Sequence, residues 1–155
     1  LKNLKLEDLA IREINMMIST FILLSDLGLG LMLGDPSGIS GKLWDNHKSQ
    51  AIEAGISWSI IDDSLFIIGG WNKTLWKTSQ SGFSLNLYPG IGAFLGIRNH
   101  FSIGPNIPLG ADFILRNIPI NISLEVSPGL SVIPKTSFKL FGFLGIRYVF
   151  ESPDL

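Results

Sequence analysis

Two hydrophobic periods divide this chain. Between Leu1 and Asp26, the apolar residues Leu4, Ala10, Ile14, Met17, Ile18 and Phe21 recur at helical spacing, with Lys2, Lys5, Glu7, Asp8, Arg12 and Glu13 between them. Residues three or four apart share a helix face, so this spacing predicts one helix over about 6–24. From Leu27 the period becomes two. The alternation predicts eight strands, at about 27–33, 38–44, 50–59, 64–72, 83–98, 102–115, 119–133 and 137–150. The stretches between them carry Gly, Pro, Asn and Asp, the residues of tight turns. Only Asn72 to Gly82 reads as a long connection.

The alternation sorts the strands into two unlike faces. One face holds Leu27, Ile39, Ile52, Leu65, Leu87, Ile107, Leu124 and Ile146, with every second residue from each, and no position on it is charged. The opposite face holds Lys42, Glu53, Arg98, Asp112, Glu125, Lys139 and Arg147 among many Gly and Ser. The expected fold class is therefore all-β: an eight-stranded antiparallel up-and-down β-barrel, with a short N-terminal helix outside it. Two barrels fit the pattern. A soluble lipid-binding barrel turns its apolar face inward and needs a densely charged exterior. A transmembrane barrel turns the apolar face to lipid and the polar face to the lumen. The polar face here carries too few charges for a soluble exterior, and its small residues suit the tight interior of eight strands. The membrane orientation is the expectation.

The last two strands show the pattern most clearly. In Pro119 to Val132, Ile120, Ile122, Leu124, Val126, Leu130 and Val132 alternate with small polar residues. In Phe138 to Phe150, Leu140, Leu144, Ile146 and Tyr148 alternate with a face that mixes cations, Gly and Phe: Lys139, Phe141, Phe143, Gly145 and Arg147. Each apolar face runs for about thirteen residues, where a transmembrane strand needs about 9–11. The segments Ile120 to Pro134 and Gly142 to Phe150 resemble the end of the small eight-stranded, outer-membrane-protein-A-like barrels of spirochaetes and other double-membraned bacteria. Gly34 to Trp44 and Ala51 to Ser59 resemble that family's first hairpins, and Ile107 to Gly110 its sixth strand, so the resemblance spans roughly Leu27 to Phe150. The chain departs from the family in carrying Asn106 where Arg is frequent, and in continuing past Phe150 as Glu151 to Leu155. The resemblance implies an integral protein of the bacterial outer membrane, with lipid as its partner and small ions as the only solutes a narrow lumen could pass.

Composition adds limits. A chain of 155 residues makes one domain, read as a helical or signal-like segment 1–26, a barrel 27–150 and a tail 151–155. Charged residues are 16% of the chain, below the roughly 25% of soluble domains. A net charge of −1 gives no reason to expect nucleic acid, and the absence of Cys rules out disulfides and thiol chemistry. No apolar run reaches the roughly 18 residues of a transmembrane helix. The only spanning structure open to the chain is a closed barrel, because sheet edges cannot face lipid. Residues 16–24 are apolar over a signal-core length, but acids precede them and no Ala-x-Ala follows. This segment reads as an amphipathic appendage or a degenerate export signal.

The candidate chemistry lies on the polar face. Charges in a narrow lumen must pair, since an isolated buried charge costs several kcal/mol. A turn centred on His47-Lys48 sets Lys42 across from Glu53. One near Thr136 sets Glu125 beside Arg147, and one near His100 sets Tyr88 across from Asp112. Arg98 and Lys139 lie nearer strand ends and reach towards water. These lumen pairs serve either to hold the barrel shut or as the switch of a narrow pore. Trp58, Trp71, Tyr148 and Phe150 lie near strand ends on the apolar face, where interfacial aromatic girdles belong. Other motifs fail. Gly34 to Lys42 has Pro36 and Leu43 where a phosphate loop needs Gly and a hydroxyl. His47 and His100 stand in separate turns without a third ligand, and no acid–base or nucleophile set converges. No enzyme activity, metal or cofactor is expected. The functional expectation is a structural or narrow porin-like outer-membrane barrel, with a surface adhesin or a soluble lipid-binding barrel as alternatives.

Overall fold

The structure, a computed structural model, describes residues 2–23 and 25–151. Helix α1 spans Lys2–Leu23, starting earlier than its periodicity predicts. Leu6, Leu9, Ile11, Ile14, Met17 and Ile18 along it are all more than half exposed. The predicted helix end at Leu24 and most of the tail, from Ser152, lie outside the described residues.

Ten strand segments follow: β1 Asp26–Asp35, β2 Ser37–Trp44, β3 Gln50–Ser59, β4 Ser64–Lys73, β5 Trp76–Ser79, β6 Phe83–Ile97, β7 Phe101–Asn106, β8 Leu109–Leu115, β9 Ile120–Ser131 and β10 Ser137–Phe150. They make eight barrel strands, because two are interrupted. β4 and β5 together form the fourth and both pair with β6. β7 and β8 together form the sixth, lying between β6 and β9. Every pairing is antiparallel between neighbours in the chain, and β10 then pairs with β1 from Leu27↔Phe150 to Asp35↔Gly142. The sheet is closed and has no free edge.

The two interruptions have different causes. In the sixth strand Pro108 has no N–H for the ladder. Ile107 keeps its own bond by donating to the Pro128 carbonyl at 2.9 Å. In the fourth strand the register shifts by one residue between β4 and β5, from Asn72↔Gly90 to Trp76↔Leu87, which is a bulge. The long connection expected from Asn72 to Gly82 is thus mostly strand. Residues 76–79 pair with β6, and the turn shrinks to residues 80–82. Trp76-Lys-Thr-Ser79 has a single apolar residue, so alternation alone could not reveal it.

Strand stagger sets the width of the barrel. From Asp26 the pairings lead through Trp44, Ala51, Asn72 and Gly90, cross the gap in the sixth strand, and continue from Ser127 to Phe141. Phe141 lies beside residue 36, one place beyond the Asp35↔Gly142 pair. One circuit therefore advances from residue 26 to residue 36. A stagger of that size tilts the strands by roughly 40° and leaves an interior that side chains can fill.

The faces divide as the alternation predicts. Leu29, Leu31, Ile39, Ile52, Ile56, Ile91, Leu124, Val126, Leu140 and Ile146 all point outward and are roughly half exposed. Ser40, Lys42, Ser57, Asn86, Asp112, Asn121, Ser123, Glu125 and Arg147 are buried inside. The molecule is inverted relative to a water-soluble core.

Closure of β1 on β10 depends on small residues at the seam. A Cβ at Gly30 would lie 1.9 Å from the Ile146 carbonyl oxygen, a backbone atom that cannot move aside cheaply. Gly30→Ala should therefore lower the unfolding free energy by about 1–3 kcal/mol, the usual cost of overpacking. Gly82→Ala, where a Cβ would meet nothing within 4 Å, should change it little. Denaturant titration of the refolded variants checks both.

Candidate functional site: a two-layer polar and aromatic lumen

The inward side chains form two layers of different character. Towards the end of the barrel that holds Asp26 and Phe150 lies a charged layer. Lys42 on β2 is at its centre. Its Nζ is 2.8 Å from Asp112 Oδ2 on β8 and 3.6 Å from Glu53 Oε2 on β3. The ammonium also lies 3.9 Å from the centroid of the Tyr88 ring and 5.6 Å from that of Trp44, so aromatic faces supply further attraction. Trp44 Nε1 and Asn121 Nδ2 donate to the Asp112 carboxylate at 3.4 and 3.2 Å.

Arg147 on β10 forms the second centre. Its Nε donates to Ser40 Oγ at 2.9 Å, and one terminal nitrogen donates to Asn121 Oδ1 at 3.1 Å and to Ser123 Oγ at 2.8 Å. The other terminal nitrogen crosses the lumen to pair with Glu53 Oε1. Glu53 is thus shared between Lys42 and Arg147, and Asn72 Nδ2 donates to it at 3.3 Å. Glu125 on β9 stands outside these ion pairs and accepts from the Tyr88 hydroxyl at 2.7 Å. Room for that tyrosine comes from Gly110, where a Cβ would lie 2.5 Å from its hydroxyl.

The second layer is apolar. Phe66, Phe94 and Phe141 are fully buried in the other half of the lumen and meet edge to face, with ring centroids 5.1 to 6.0 Å apart. Such packing suits the charge distribution of aromatic rings. A Cβ at Gly96 would press on Phe66 and one at Gly129 on Phe94, so these glycines give the rings their space. This layer was not among the expected site residues. Its signal was present: each Phe falls out of phase with its strand's apolar face, among Gly and Ser.

The predicted site residues distribute as follows. Lys42 and Glu53 are cross-strand partners, as the turn at His47-Lys48 predicts. The other two expected pairs are replaced. Tyr88 lies opposite Gly110 and binds Glu125, while Asp112 lies opposite Asn86 and binds Lys42. Glu125 lies opposite Phe143, and Arg147 lies opposite Asn121 and binds Glu53. In both hairpins the register is set by a turn placed slightly earlier than expected. Each slip is an even number of residues, which keeps every side chain on its predicted face and changes only its neighbour. Arg98 and Lys139 are at the rim, not in the lumen network. Arg98 is 3.9 Å from Asp63 with both side chains more than half exposed, and Lys139 is 3.2 Å from Asp62.

Trp58, Trp71, Tyr148 and Phe150 are all exposed on the outer wall. Tyr148 and Phe150 stack edge to face at 4.8 Å, and Trp71 Nε1 donates to Gln50 Oε1 at 3.2 Å. Trp76, Phe101 and Phe138 are exposed as well, the last two beside turns at the opposite end. Among the described residues, no three His, Cys, Asp or Glu side chains are grouped to hold a metal ion, and no helix is long and apolar enough to cross a membrane. Comparison with protein-family models, curated proteins and solved structures returns no match to this chain.

Removing the shared cation tests the network. Lys42→Met keeps the bulk but strips Asp112 of its buried cation and leaves Glu53 with Arg147 alone, and should cost about 3–5 kcal/mol of stability. Lys139→Met, at the hydrated rim, should cost no more than about 1 kcal/mol. Equilibrium unfolding of the two variants side by side measures the contrast.

Proposed function

We propose that this protein is a small integral outer-membrane β-barrel, acting as a structural barrel or a narrow channel whose lumen is closed by side chains. One observation carries the reading. A closed antiparallel barrel presents Leu, Ile, Val and aromatic residues over its outer wall while burying Lys42, Asp112, Glu125 and Arg147 and half-burying Glu53 within. Water as the surrounding solvent would reward the opposite arrangement. Each outward Leu or Ile fully transferred from water to hydrocarbon gains about 1.5–3 kcal/mol, and the outer wall carries dozens of them. Closure supports the same reading, since a barrel leaves no backbone donor or acceptor open to lipid. Exposed Trp, Tyr and Phe near both ends of the wall suit the two interfaces.

The alternatives find less support. A soluble lipid carrier needs an apolar inner wall and a cavity the size of an acyl chain, whereas this lumen is packed with ion pairs and three Phe rings. An adhesin needs extended loops for contact, and the connections between the barrel strands are all short. Within the membrane reading, the two layers are the elements a channel would have to move. Lys42 and Arg147 share Glu53, so a swap of partners could open one layer while the Phe rings still close the other.

The first test is a denaturing gel of boiled and unboiled samples refolded in detergent and in buffer alone. The unboiled detergent sample should migrate apart from the boiled one, and the buffer sample should not fold. A soluble, folded protein in buffer with no band shift would overturn the proposal. In a planar bilayer, Phe141→Ala should give larger conductance steps than the wild type if the lumen conducts. An inserted barrel with no steps in either form would assign the structural role.

A further inference from the structure

The rim that carries the turns at 60–63, 98–100 and 132–136 gathers cations, and the strand alternation puts them there. Beyond Phe94 the inward phase of β6 runs through Gly96 to Arg98. On β10 the inward phase places Lys139 two residues ahead of Phe141, and on β4 it places Ser64 two residues ahead of Phe66. Lys135 stands in the turn between β9 and β10. The three Phe rings are thus followed, towards this rim, by hydroxyls and positive charge.

These side chains surround an open hollow of about 310 Å³ at the mouth of the lumen. Small-molecule sites usually fall within roughly 300–1,000 Å³. The lining is mostly polar. Ser64, Ser102 and Ser131 form its inner wall, and Arg98, Lys135, Lys139 and Asp62 stand around it. With Asp63, which lies beside Arg98, three cations face two carboxylates. A cleft with one sign of charge in excess draws in ions of the other sign. The carboxylates do not use up the cations. Lys139 is paired with Asp62 at 3.2 Å. Arg98 is held loosely, 3.9 Å from Asp63 with both side chains more than half exposed, and its Nη1 donates to the Asp62 carbonyl at 3.4 Å. An exposed pair of that kind contributes little. Lys135 has no ion-pair partner among the described residues, and the Ser102 and Ser137 hydroxyls make no hydrogen bond to any of them.

We propose that this hollow binds one phosphate-type oxyanion, through the guanidinium of Arg98 and the ammonium groups of Lys135 and Lys139, with Ser102 and Ser137 as hydroxyl donors. A guanidinium fork matches two oxygens of such an anion, and lysine adds charge with donors that turn freely. Free phosphate and the phosphomonoester of a lipid headgroup share this chemistry. The hollow lies inside the mouth, whereas Phe101 and Phe138 mark the outer wall beside the same turns, which favours free phosphate. The site depends on closure of the rim and not on the medium around the barrel, so it stands or falls separately from the membrane proposal.

The test is calorimetric titration of the full chain, in whichever medium folds it, with sodium phosphate against sodium chloride at equal ionic strength. One phosphate should bind per chain, saturably, and chloride should not reproduce the signal. Arg98→Gln and Lys135→Ala should each raise the Kd about fivefold or more, the usual loss for a hydrogen bond to a charged group. Lys73→Ala, at the opposite rim, should leave it unchanged. Asp63→Asn frees Arg98 of its competing carboxylate and should lower the Kd about twofold or more. Asn suits the positive φ of 48° at that position. Should Arg98→Gln fail to fold, Lys135→Ala and Asp63→Asn decide. If free phosphate does not bind, micelles or vesicles carrying phosphatidic acid take its place. Binding there that Arg98→Gln and Lys135→Ala weaken keeps the site and assigns the headgroup as its source. No saturable binding of either form overturns the site, as does an affinity that neither cation variant changes.

Discussion

Closure of β10 upon β1 is the constraint on which everything else in this barrel depends. Pairing from Leu27↔Phe150 to Asp35↔Gly142 satisfies the last open sheet edge. Eight strands with this stagger enclose a space only as wide as the side chains that fill it. Small residues are therefore obligatory wherever a large one points inward. Gly110 accommodates Tyr88, Gly96 and Gly129 accommodate the Phe rings, and Gly30 lets the seam come together. The glycine content of the chain follows from this geometry and not from a wealth of loops.

Confinement also explains the chemistry of the interior. Polar groups on opposite walls lie within reach of one another, so Arg147 on β10 can bind Glu53 on β3, and Lys42 on β2 can bind Asp112 on β8. These contacts tie together strands far apart in sequence and complement the ladder, which joins only neighbours. The aromatic layer uses no charge and holds the other half by shape. The two layers divide the lumen into a region where partner exchange is possible and a region where only steric displacement would make room.

Much of this was legible in the chain before any coordinates. Period-two alternation from Leu27 onward located all eight barrel strands and assigned their faces, because a strand has only two sides and one of them lacks charge. The partners of Tyr88, Asp112, Glu125 and Arg147 were not legible. A hairpin turn displaced by one or two residues shifts the pairing by two or four, which leaves the alternation untouched while exchanging every cross-strand neighbour. Contacts across the lumen, such as Arg147 with Glu53, depend on the stagger of the whole circuit and have no local signature at all. Residues 76–79 were hidden for another reason: a short segment with one apolar residue joins the sheet because β6 extends beyond β4 and offers it a partner.

The even number of barrel strands has a consequence for sidedness. Asp26 begins the circuit and Phe150 ends it at the same rim, alongside the turns 45–49, 80–82 and 116–119. The turns at 36, 60–63, 98–100 and 132–136 occupy the opposite rim. A tag or domain attached ahead of β1 and one attached after β10 must therefore emerge as neighbours, at the same rim. A circular permutant opened at residues 98–100 would send both of its new ends to the opposite rim while leaving the wall and its contents unchanged.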